Sequence, residues 1–123
     1  MVKLLIIEDD ELLRGQLASG LADAGHEVSE AANGVIGLRL FNEIAPDLVL
    51  TDIIMDEGEG LGAIMALRRV SQEIPIIAMS GNPVYLNHGL KLGATESLLK
   101  PFSMAVLSEC ITRLAGGAAA KSA

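Results

Sequence analysis

The chain has 123 residues, half of them hydrophobic, with a formal charge of −7 and a single cysteine. That length suffices for one domain with its own core and no disulfide or metal staple, and the hydrophobic share excludes a disordered chain. The acidic balance, with a pI near 4.7, argues against non-specific binding to DNA or anionic lipid and fits a protein that binds a cation or meets a basic partner.

Aromatics are nearly absent (Phe41, Tyr85 and Phe102), which removes the platforms on which single-stranded nucleic acids stack. Cys110 alone cannot form an intrachain disulfide, and this fits a reducing compartment. The sequence shows neither a secretory leader nor an apolar run long enough to span a bilayer. A soluble, cytoplasmic protein with no membrane or nucleic-acid partner is the expectation.

Five apolar runs alternate with amphipathic segments. Leu4 to Ile7 reads as a first strand, and Asp10 can cap a helix with Leu13, Leu17 and Leu21 on one face, ended by Gly25. A weaker strand lies within His26 to Ala31. Asn33-Gly34 turns the chain into a second helix, with Val35, Leu38 and Phe41 directed inward, as far as Pro46. Leu48, Val49 and Leu50 form a third strand that ends at Asp52, followed by a polar loop, Asp56 to Gly60. Leu61, Ile64, Met65 and Leu67 mark a third helix, whose Arg68 and Arg69 suit the negative end of its dipole.

Ile76 to Met79 gives a fourth strand. Asn82-Pro83 is a favourable helix start, although Asn87, His88 and Gly89 make the segment to Leu92 a poor helix. Ser97 to Leu99 reads as a short fifth strand. Ser103 caps a last helix carrying Met104, Leu107, Ile111 and Leu114. Cys110 falls in or beside the core, and residues 116–123 (GGAAAKSA) read as a flexible tail or truncated linker after a domain spanning 1–115. Repeated strand–helix units of this length imply a doubly wound α/β fold, a five-stranded parallel sheet with helices on both faces.

In such a sheet every strand's C-terminal end lies on one edge, where open α/β sheets bind ligands. Glu8, Asp9 and Asp10 after strand one, Asp52 after strand three, Ser80 after strand four and Lys100 after strand five can therefore meet in one cleft. Crowded carboxylates repel and resist ionisation, and a divalent cation relieves that repulsion. Hard oxygen ligands without histidine or cysteine favour Mg²⁺. A metal beside a carboxylate, a hydroxyl and an ammonium suits phosphoryl transfer: the aspartate is nucleophile, and the cation, lysine and hydroxyl stabilise the phosphoryl oxygens.

The segments LLIIEDDELLR, PDLVLTDIIM, IIAMSG and LGATESLLKPF, in this order, resemble the response-regulator receiver domain of bacterial two-component signalling, the CheY-like superfamily. The match runs from about Lys3 to about Leu114. The resemblance implies a flavodoxin-like (βα)5 fold with Asp52 as phosphoacceptor. It implies Mg²⁺ held by Asp9 directly, by Glu8 through water, by Asp52 and by the main-chain carbonyl of Ile54. It also implies Ser80 as switch hydroxyl, Lys100 as the phosphate-contacting lysine and a cis Lys100–Pro101 bond. The phosphoryl group would come from a sensor histidine kinase or a phosphotransfer protein. Its charge would shift a bistable surface of helix four, strand five and helix five, which could meet a downstream protein or a second copy of the chain. Such a domain is a signalling switch rather than an enzyme in the ordinary sense.

Four positions depart from the family pattern. Ser97 stands where a Tyr or Phe usually moves with the switch hydroxyl, Asp56 where Pro is common, and Gly81 where Ala is frequent. Ile54 is apolar where some relatives carry a polar side chain that assists water, which predicts slow dephosphorylation. The rival readings are an unphosphorylated interaction module on the same fold and a small cofactor binder, the latter opposed by the lack of a glycine-rich loop after strand one.

Overall fold

Continuous branched runs such as Leu4–Ile7, Leu48–Leu50 and Ile76–Met79 can satisfy their backbone only inside a sheet covered on both faces. That is what they do. In the computed structural model, which describes residues 2–53 and 59–122, strands and helices alternate along the chain. They are β1 (Lys3–Ile7), α1 (Glu11–Asp23), β2 (Glu27–Ala31), α2 (Gly34–Ile44), β3 (Leu48–Asp52), α3 (Glu59–Val70), β4 (Ile76–Ser80), α4 (Pro83–Leu92), β5 (Glu96–Leu99) and α5 (Met104–Ser122). The sheet has five strands in the order β2-β1-β3-β4-β5, every pair parallel. This is the expected doubly wound fold, and its order reverses between β1 and β3. The crevice at that reversal is where such folds carry their chemistry.

Alternation along the strands sends side chains to two separate cores. Leu5, Ile7, Val49, Ile76 and Ala78 pack with Ile64, Leu67 and Leu86 from α3 and α4. Leu4, Ile6, Leu48, Leu50, Ile77 and Met79 pack with Leu17 and Leu21 of α1 and with Leu107, Cys110 and Ile111 of α5. Truncating a fully buried leucine such as Leu50 to alanine costs about 2–5 kcal/mol.

The helix starts follow their caps. Asp10, Asn33 and Asn82 each accept a bond from the first turn, and Pro83 opens α4. One inward assignment is corrected: Val35 is 76% exposed. Val35 sits in the first turn of α2, whose buried position is Gly37; a Cβ there would stand 2.5 Å from Ile7 Cδ1. In α3 it is Ile64 and Leu67 that turn to the sheet. The weak propensity of α4 is overridden by packing, with Leu86 and Gly89 buried against the sheet. His26 is half-buried, and its Nδ1 accepts from Val2 N at 3.2 Å.

The backbone of α5 continues to Ser122, through the segment that composition assigns to a tail, so a boundary after residue 115 rests on composition alone. Among the described residues no helix is long and apolar enough to cross a membrane.

Candidate functional site at the β1–β3 crevice

Three strand tips supply the site. Glu8 follows β1 immediately and is completely buried. Its N–H still bonds Ala31 O at the end of β2, at 3.0 Å, so its backbone continues the ladder. Asp52 is the last residue of β3, only 5% exposed. Beside it Thr51, also buried, donates its hydroxyl to the Asp52 carbonyl at 3.0 Å. Lys100 follows β5, and its N–H bonds Ser80 O at 2.8 Å, which fixes it against the tip of β4.

These placements let one ammonium bridge two carboxylates. Lys100 Nζ lies 2.8 Å from Glu8 Oε1 and 3.1 Å from Asp52 Oδ2. Asp9 is exposed at the rim, yet Glu8, Asp9 and Asp52 each offer an oxygen within 4.8 Å of the others. Glu8 Oε2 also accepts from Asp10 N at 3.3 Å.

Burial raises the Glu8 carboxyl from an ordinary 4.5 to about 7; the bond from Lys100 opposes this rise, and the neighbouring Asp52 carboxylate reinforces it. For Lys100, burial alone would lower the ammonium, but its bonds to Glu8 and Asp52 and their charges win, and the net shift is upward. The pocket thus holds more negative charge than one lysine balances comfortably, in a set made of hard oxygens only. That donor set fits a small divalent cation such as Mg²⁺.

Glu8, Asp9, Asp52 and Lys100 are therefore brought together. Ser80 is buried on the adjacent tip, and its Oγ accepts from Asn82 N at 3.0 Å. Asp10 does not join the carboxylate group; its Oδ1 caps α1 by accepting from Leu13 N at 3.1 Å. The Ile54 carbonyl and Asp56 lie outside the described residues. The Lys100–Pro101 bond is cis, as the resemblance implies. Sequence reasoning missed Arg14, whose Nη1 donates to the Glu8 carbonyl at 2.9 Å; its place one turn after the Asp10 cap was the available clue.

The family model for the response regulator receiver domain matches residues 4–112. The chain belongs to the response-regulator receiver domain family. This receiver domain is 36% identical over 108 residues to the probable transcriptional regulatory protein SilR of Salmonella typhimurium, covering 86% of the chain and 47% of that protein. To the transcriptional regulatory protein CusR of Escherichia coli (strain K12) it is 36% identical over 121 residues, covering 96% of the chain and 53% of that protein. The receiver domain thus spans about half the length of the curated relatives it matches.

Among solved structures, NtrX from Brucella abortus superposes with a TM-score of 0.91 at 26% identity, covering 98% of this chain and 29% of that one. The chemotaxis protein CheY4 of Vibrio cholerae gives 0.86 at 30% identity, covering 93% and 98%. The receiver domain therefore has the flavodoxin-like (βα)5 fold of two-component response regulators, and its curated relatives are named for regulation rather than for a catalysed reaction.

Proposed function

We propose that this receiver domain accepts a phosphoryl group on Asp52, from a sensor histidine kinase or a histidine phosphotransfer protein, in a Mg²⁺-dependent reaction. The observation that carries the reading is the bridge from Lys100 to Glu8 and Asp52, with Asp9 beside it. In this reading Asp9 holds the metal directly, Glu8 holds it through water, and Asp52 and the Ile54 carbonyl complete the protein's ligands. When bound, the ion supplies charge neutralisation for the phosphoryl oxygens.

The residues of the chain do the rest. An Asp52 carboxylate oxygen attacks phosphorus, and the donor's imidazole nitrogen leaves. The Lys100 ammonium, already at the nucleophile, follows the charge onto a phosphoryl oxygen as a point charge. Ser80 Oγ accepts from Asn82 N and keeps its own proton to donate to another phosphoryl oxygen. Drawing Ser80 toward Asp52 pulls on Asn82, whose side chain caps α4 through Val84 N at 2.9 Å. The new charge is so passed to α4 as a shift between two arrangements.

The receiving surface is α4–β5–α5, where Val84, Leu99 and Val106 are exposed. It would take a downstream protein or a second copy of the chain. An open depression along α1, lined by Asp10, Glu11, Leu12, Gly15, Gln16 and Ser19, supports docking of the phosphodonor beside the site.

Incubation with acetyl phosphate and Mg²⁺, read on a phosphate-affinity gel, tests the proposal. The native chain should shift; Asp52→Asn, or the native chain with EDTA, should not. An unshifted native chain would overturn it. One observation favours a second reading, a phosphorylation-independent interaction module: Ser97, half-buried on β5, offers no aromatic to move with Ser80. Amide spectra with beryllofluoride decide between them, since the module predicts no change at Ser80 or along α4.

A further inference from the structure

The three clustered carboxylates are aimed by different means. The Glu8 carboxylate is fixed by Lys100 Nζ at 2.8 Å and Asp10 N at 3.3 Å, and the Asp52 carboxylate by Lys100 Nζ at 3.1 Å. Among the described residues no donor is bonded to the Asp9 carboxylate, which is exposed. Its direction must come from its backbone.

That backbone is held at one point by a side chain. Arg14 Nη1 donates to the carbonyl of Glu8 at 2.9 Å, while the N–H of Glu8 is committed to Ala31 O at 3.0 Å. A peptide unit is planar, so fixing the Glu8 carbonyl also fixes the plane that contains Asp9 N and Cα. We propose that Arg14 is a positioning residue for the acidic site: its guanidinium locks the Glu8–Asp9 peptide plane and so aims Asp9 at the cation, an inference that rests on the Mg²⁺-dependent reading above.

The guanidinium is itself oriented. Its Nε lies 3.4 Å from Glu30 Oε1 at the end of β2, with the Arg14 side chain 17% and the Glu30 side chain 45% exposed. An ion pair that open to water contributes little energy; here it sets the direction of the fork. Arginine suits the task because its planar donors reach a carbonyl and a carboxylate at once, whereas lysine offers only a compact point charge. Residues that act behind metal ligands typically change metal affinity by about 10–100-fold when lost.

The test compares native chain, Arg14→Gln, Arg14→Lys and Glu30→Gln by calorimetric titration with MgCl₂, by phosphoryl uptake from acetyl phosphate, and by thermal melting. Arg14→Gln should weaken Mg²⁺ binding by about 10-fold while uptake at saturating Mg²⁺ stays within a few-fold of native. Arg14→Lys should fall between the two, and Glu30→Gln should weaken Mg²⁺ slightly. Unaltered Mg²⁺ affinity in Arg14→Gln, whatever its melting temperature, makes Arg14 a structural staple and overturns the proposal. If Arg14→Gln fails to fold, Arg14→Lys decides: native Mg²⁺ affinity in it overturns the proposal, and weakened affinity supports it. A native chain that binds no Mg²⁺ and takes no phosphoryl group overturns the proposed Mg²⁺-dependent phosphorylation itself, and the inference falls with it.

Discussion

Two half-buried cations stand at opposite edges of the same sheet, held by opposite kinds of partner. Lys100, at the C-terminal edge, bonds the carboxylates of Glu8 and Asp52. Arg68, at the other edge, donates to the carbonyls of Gly93 at 2.8 Å, Ser71 at 3.2 Å and Ile74 at 2.8 Å, and to Thr95 Oγ1 at 3.2 Å. Carbonyls are fixed dipoles that leave the guanidinium its charge, so Arg68 clips the α3–β4 and α4–β5 loops together, and burial merely lowers its pKa. Carboxylates can exchange one cation for another. The difference separates a replaceable charge from a permanent fastening, and it divides the molecule into an edge built for chemistry and an edge built for stability.

The sharpest way to break this division is Lys100→Met. Phosphoryl uptake from acetyl phosphate should fall by about 100-fold or more, the usual loss when a group aimed at developing charge is removed. A variant labelled at the native rate would place the reacting edge elsewhere.

Next comes pH, through Glu8. Its folded pKa of about 7 lies above its ordinary 4.5, so between these values the folded state binds more protons than the unfolded one. The Glu8 contribution to metal-free stability is full below 4.5 and is lost as pH rises through about 7. In the proposed reading Mg²⁺ would displace that proton, so the melting temperature gained from added Mg²⁺ should be larger at pH 8 than at pH 6. An equal gain at both values would count against a crowded acidic pocket.

At the opposite edge, Arg68→Ala should cost about 2–3 kcal/mol in urea unfolding, the scale for losing bonds from a charged donor, with phosphoryl uptake kept within a few-fold of native. Loss of uptake at native stability would erase the contrast. The smallest effect belongs to Gly93→Ala. Gly93 has φ +124°, and a Cβ there would meet Arg68 Cγ at 2.8 Å. The left-handed backbone alone costs an alanine about 1 kcal/mol, again without loss of uptake.

The reacting edge was the more legible of the two from sequence, because its signals are carboxylates and a lysine at the ends of buried runs. Strands covered on both faces announce themselves by composition, and β1, β3 and β4 fall where their apolar residues place them. Helix faces were read less well. Periodicity gives the width of an apolar stripe but not its phase against the sheet, and so it turns Val35 inward while Gly37, a residue with no side chain to signal burial, holds the contact. Arg68 was read as a dipole partner, since a clasp on main-chain carbonyls leaves no pattern in the residues it grips. The same holds for Arg14, whose partner is a peptide group. The weak helix α4 forms because Leu86 and Gly89 meet the sheet, a tertiary contact that local propensity does not contain.

The bridge made by Lys100 also has a consequence for how the protein waits. A metal site built from acidic residues alone would be a source of self-repulsion whenever the ion was scarce. Here the fold brings its own temporary counterion, tethered at the far end of the chain and drawn in by the same oxygens. Assembly can therefore precede metallation, and under the proposed Mg²⁺-dependent reading a magnesium shortage would silence the response while leaving the folded protein in place.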